Sequence, residues 1–149
     1  MRVRFLGTGP ARGRPGRGRS RRTESSLLVD SDDGAILIDA TRDFASQARR
    51  LESVDLVLLT HAHRDASGGV HQLDRWLPSQ VPLLASRSTV DVLRSRYRRL
   101  PRLELRGVSS GRTIAWRNFR ITPLVVPHAR DCTTFAWRLD HAGISIVYA

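Results

Sequence analysis

Apolar residues along this 149-residue chain fall into short runs cut by Gly, Pro and charged side chains. The first, residues 3–6, reads as a strand and ends on the turn-forming Gly7-Thr8-Gly9-Pro10. Residues 26–30 and 35–39 bracket Ser31-Asp32-Asp33-Gly34, and Asp-Gly between two apolar runs predicts a β-hairpin. Phe44, Ala45, Ala48 and Leu51 recur at helical spacing after a possible capping Thr41, so residues 42–51 are expected to form an amphipathic helix. Residues 55–59 (DLVLL) read as a strand that is continuously apolar after its first residue, as in a strand buried on both faces. The polar, Gly-terminated stretch 60–69 is expected to be a loop at its end.

Residues 70–77 and 88–97 read as helices flanking a strand at 81–85. From residue 102 the pattern becomes a meander of short strands at 103–105, 113–116, 119–126, 133–139 and 144–148, with His141-Ala142-Gly143 as an exposed turn. This order predicts an α/β chain built on one mixed sheet covered by helices. Trp76, Trp116 and Trp137 sit in apolar patterns and are expected in the core or an interface.

Charge adds one local feature. All 25 basic residues are Arg, against 14 acids, for a formal charge of +11. Residues 1–22 hold eight Arg and no acid, so most of the excess is there. Residues 10–23 (PARGRPGRGRSRRT) form a low-complexity basic loop that cannot bury apolar surface. Six of its arginines, Arg12, Arg14, Arg17, Arg19, Arg21 and Arg22, are candidates to bind phosphate; non-specific nucleic acid is a candidate partner. With no aromatic residue interleaved, base stacking is not expected.

One cysteine, Cys132, excludes an internal disulfide and a cysteine-only metal site. It reads first as a small strand residue, with a soft-ligand role as the alternative. The absence of an apolar leader and of a run approaching the roughly 18 residues of a membrane span leads to the expectation of a cytoplasmic protein with no membrane partner.

Candidate chemistry lies at strand ends. His61, His63 and Asp65 alternate directly after the buried run at 55–59, and His128 follows the run at 119–126. Imidazole and carboxylate are ligand types for Zn²⁺, Mn²⁺ and Fe, and three neutral histidines with an open position would make a hydrolytic metal site. His71, on the following helix, is expected to point away from the loop.

Leu59-Thr60-His61-Ala62-His63-Arg64-Asp65-Ala66-Ser67-Gly68-Gly69 resembles the T-H-x-H-x-D-H-x-x-G signature of the metallo-β-lactamase superfamily. Phe5-Leu6-Gly7-Thr8-Gly9, Leu37-Ile38-Asp39-Ala40, Thr122-Pro123-Leu124 and Val126-Pro127-His128 agree in order. The spacing is most similar to the branch of RNase Z-type nucleases and cyclic ribosyl phosphodiesterases. The resemblance implies an αββα sandwich, here its first half plus the start of the second sheet. It implies a first metal site of His61, His63 and His128, with Asp65 in a second site and orienting the attacking water. Asp39 would support the histidine loop.

Ala66 stands where the family has a further His, and the chain stops before the family's bridging Asp. The expectations are therefore an incomplete domain over residues 1–149, at most one metal ion per chain (Zn²⁺, or Mn²⁺ or Fe), and a sheet face exposing apolar residues that a second copy would cover. Phosphodiester hydrolysis is the activity implied. The alternative is a catalytically degenerate or truncated member that binds phosphate ligands or pairs with another subunit.

Overall fold

The computed structural model describes residues 1–13, 22–128 and 130–149. Its first sheet has six strands: β1 (Arg2–Gly7), β2 (Ser26–Ser31), β3 (Gly34–Ile38), β4 (Leu56–Leu58), β5 (Val81–Ser86) and β6 (Leu103–Val108). They lie side by side in chain order. The first three are antiparallel, and β3 to β6 run parallel. The β2–β3 hairpin turns at Gly34, whose φ of 122° suits a residue without Cβ.

Parallel strands need crossovers, and helices supply them: α1 (Phe44–Gln47), α2 (Arg64–Ser67), α3 (Val70–Trp76) and α4 (Arg87–Arg96). Successive strand residues point to opposite faces, so the continuously apolar runs split between two cores. Leu28, Leu37, Val57, Leu59 and Leu83 meet Phe44, Leu73 and Leu93 on the helical side. Leu27, Val29, Ile36, Ile38 and Leu58 face the other way.

That second face is covered by another sheet. β7 (Ile114–Trp116), β8 (Phe119–Val126), β9 (Thr134–His141) and β10 (Ile144–Tyr148) form an antiparallel sheet in the order β10-β9-β8-β7. It presents Phe119, Ile121, Phe135, Trp137 and Leu139 to the first. The single mixed sheet read from the pattern is thus two sheets, as the αββα resemblance requires. Trp137 is fully buried between them and its indole N–H donates to the Leu59 carbonyl at 3.0 Å. Trp76 and Trp116 pack half-buried against the two cores.

Other expectations change locally. The helix at 42–51 is shorter, α1 followed by a 3₁₀ turn at Ala48–Arg50. The loop at 60–69 contains α2. His141 is no exposed turn residue: it ends β9, stacks on Phe119 with ring centroids 4.3 Å apart, and brings Nε2 to 2.6 Å from Asp33 Oδ2. That contact ties the second sheet to the β2–β3 hairpin. The outer face of the second sheet carries Arg120, Thr122, Arg138 and Asp140 at its centre, with Arg120 opposite Asp140 and Thr122 opposite Arg138. The expected apolar face is therefore mixed. Val3 and Phe5 stay exposed on the edge strand β1, opposite Val29 and Leu27. Among the described residues no helix is long and apolar enough to cross a membrane.

A candidate metal centre at the ends of two sheets

Asp39 closes β3 in the left-handed region, at φ 65°, a conformation Asp tolerates better than most residues. Its buried carboxylate accepts the Thr60 N–H at 2.8 Å and the Thr60 hydroxyl at 2.9 Å. The Thr60 carbonyl in turn accepts from Phe135 N–H in the second sheet at 2.8 Å. Thr60, directly beyond β4, is thus fixed from both sides.

Its hydroxyl also lies 2.8 Å from His61 Nδ1. With that hydroxyl donating to an ionised Asp39, Thr60 Oγ1 accepts from His61 Nδ1–H, which sets the tautomer and leaves Nε2 with a free lone pair. Nε2 is buried and has no hydrogen-bond partner among the described residues. A buried polar atom without a protein partner calls for an explanation, and a role as metal ligand supplies one. Burial first, then the neighbouring His128 and His63, hold the His61 pKa below its ordinary value, while Asp65 opposes them. A neutral ring is the form that binds metal.

His63 and His128 complete the arrangement. The ligand atoms of His61, His63 and His128 all lie within 4.8 Å of one another. The His61 ring centroid is 4.9 Å from that of His63 and 4.7 Å from that of His128. The first sheet delivers two of these rings and the loop after β8 the third. This donor set fits a divalent cation. Asp65 stands beside the trio, with Oδ1 3.6 Å from His61 Nε2. It lines a cavity of about 260 Å³ with His61, His128, Asp39, Thr60 and Ala66. Ala66 is therefore part of the wall of that cavity and offers it no ligand atom. His71 is turned away and stacks on Tyr97.

Several supports were not legible beforehand. Arg96 of α4 donates to the Ala62 carbonyl and to Ser67 Oγ, both at 2.8 Å, holding the histidine loop from behind. Gly69 packs so tightly on the Thr41 carbonyl that a Cβ has no room. Glu24 is buried and accepts from Arg12 N–H at 2.7 Å, from Arg42 N–H at 3.0 Å and from the Arg42 guanidinium. It thereby anchors the start of the basic loop, whose Pro10 and Ala11 line the cavity. Arg12 and Arg22 are exposed nearby; Arg14, Arg17, Arg19 and Arg21 lie outside the described residues. Cys132 is in the turn before β9, with Sγ 3.8 Å from His63 Nε2, and is not a strand residue.

Burial pushes the Asp39 carboxyl up to about 7; hydrogen bonds from Thr60 oppose this and the charge of Asp65 adds to it. The folded chain thus holds this proton to higher pH than the unfolded chain, where Asp titrates near 3.8. Between those values the folded state binds more protons, so its stability falls as pH rises through that window. Asp39→Asn keeps the shape and removes the titration. In the presence of a chelator, its melting temperature should change less with pH across that window than the parent's; equal slopes would count against this assignment.

A family model described as "Beta-lactamase superfamily domain" matches residues 35–149. An octanoyltransferase of Porphyromonas gingivalis (strain ATCC BAA-308 / W83) is 32% identical over 155 residues, covering 87% of this chain and 31% of that protein. The crystal structure of a new diphosphatase from the PhnP family is similar at 28% identity and a TM-score of 0.79, over 92% of this chain and 61% of that one. Zn²⁺-bound PqqB from Methylobacterium extorquens is similar at 19% identity and a TM-score of 0.83, over 99% of this chain and 64% of that one. The chain spans under a third of that curated relative and less than two thirds of either structure.

Proposed function

Because this chain belongs to the metallo-β-lactamase superfamily, we propose that it is the metal-binding part of a hydrolase acting on phosphate esters or diphosphates. The observation that carries this reading is the trio His61, His63 and His128 converging around the bare, buried Nε2 of His61. They would hold one cation per chain, with Zn²⁺ the first candidate. A divalent cation there supplies Lewis acidity and lowers the pKa of water bound to it towards about 7.

The chain's own residues do the rest. Thr60 and Asp39 hold His61 in its ligand tautomer. Asp65, open to the same cavity, orients the attacking water and takes its proton. Arginines of the loop beginning at the cavity rim, Arg12 and Arg22 among them, neutralise phosphate charge. The 28% identity to a diphosphatase supports a phosphorus centre. The octanoyltransferase name belongs to a protein of which under a third aligns here, and it supplies no substrate for this cavity.

One observation favours a second reading, a phosphate-binding module without turnover: the Ala66 methyl in the cavity wall, which cannot ligate a second cation. Hydrolysis of bis-p-nitrophenyl phosphate by the Zn²⁺- or Mn²⁺-loaded protein separates the two. The enzyme reading expects turnover that a chelator stops and added metal restores. No turnover from protein shown to carry metal would reject it in favour of the binding module.

A further inference from the structure

Beyond the trio, a second group of ligand atoms gathers on the outer side of His63. Asp131 Oδ2 is 3.0 Å from His63 Nε2, and Cys132 Sγ is 3.8 Å from the same atom. The ligand atoms of His63, Asp131 and Cys132 all lie within 4.8 Å of one another. Backbone order explains the meeting: the turn between β8 and β9 carries both Asp131 and Cys132 over the histidine loop of the first sheet.

This group differs in chemistry and in placement from the trio. It combines a thiol, a carboxylate and an imidazole, a set that suits borderline-soft divalent cations and disfavours Mg²⁺ or Ca²⁺. It is also the outer of the two. The His63 and Asp131 side chains are 37% and 71% exposed, against 8% for His61. A cation can therefore reach it from solvent without entering the cavity.

We propose that His63, Asp131 and Cys132 form a second, solvent-facing site for a thiophilic divalent cation such as Zn²⁺ or Cd²⁺, sharing His63 with the trio. The cation binds the thiolate, so the Cys132 S–H bond breaks and its proton leaves to solvent as the metal–sulfur bond forms. No electron is transferred, and water completes the coordination. Where the trio also holds a cation, His63 would bridge the two as an imidazolate, its remaining N–H proton leaving to solvent as the second metal–nitrogen bond forms.

Cobalt substitution tests this independently of hydrolysis. Only Cys132 can give this chain a thiolate-to-cobalt charge-transfer band in the near ultraviolet. The band should appear when Co²⁺ is added to the His61→Ala/His128→Ala double variant, in which the trio is dismantled. It should be absent from Cys132→Ser and weaker in Asp131→Asn. As a second measurement, alkylation of Cys132 by iodoacetamide in the unaltered chain should slow by about tenfold or more with saturating Zn²⁺ and recover with a chelator, since the free thiolate is the nucleophile. No cobalt band in a folded double variant, or an alkylation rate indifferent to Zn²⁺, would overturn the site. Failure of the trio alone leaves the band in place, so the two readings fail separately.

Discussion

Replacing His61 by Ala in a Cys132→Ser background, which silences the outer group, should abolish measurable Zn²⁺ binding. Removing a supporting group behind a ligand typically lowers metal affinity by roughly 10–100-fold, and losing the ligand itself exceeds that. His61 is the most buried of the three rings, and its tautomer is set by a chain of hydrogen bonds reaching into the core. Thr60→Val, which keeps the volume but cuts that chain, should therefore fall in the supporting-group range, and His128→Ala beyond it. Competition against a chromogenic chelator measures all three. Unchanged affinity in the His61 variant would dismiss the trio as the cation site.

Trp137→Ala should lower the free energy of unfolding by about 3–5 kcal/mol, the usual range for deleting a large buried aromatic. Trp137 is fully buried, sits edge-to-face on Phe135 and is bonded through its indole N–H to the Leu59 carbonyl. Trp137→Phe separates the two contributions: most of the volume remains, while the Leu59 carbonyl loses its partner, a penalty of about 1–3 kcal/mol. Urea unfolding with an unchanged m-value is the measurement. A loss below about 1 kcal/mol for the alanine variant would show that the sheets do not depend on this contact for their packing.

The strands and helices were largely readable from hydrophobic period and turn chemistry because those signals are local. The division into two sheets was not. Runs such as Leu56-Val57-Leu58-Leu59 are apolar at every position whether the far face meets helices or a second sheet, so the pattern is the same in either case. The histidines were readable because ligand types recur at short spacing after a buried strand. Glu24 and Arg96 were not, since each acts through partners brought near only by folding: Glu24 is tied to Arg42, and Arg96 to Ala62 and Ser67. His141 shows the same limit. Its turn neighbours, Ala142 and Gly143, are a correct local signal, but its partner Asp33 comes from the opposite end of the chain.

His61 and His63 hang from the first sheet and His128 from the second. A cation gripped by all three would act as a reversible crosslink between the layers of the sandwich, stabilising the folded chain because only the folded chain brings the three rings together. Loading would then be felt beyond the cavity wall, as slower amide hydrogen exchange along the β8–β9 pairing that begins at Val126 and Thr134. The ion would be a rivet between the layers as well as a reagent.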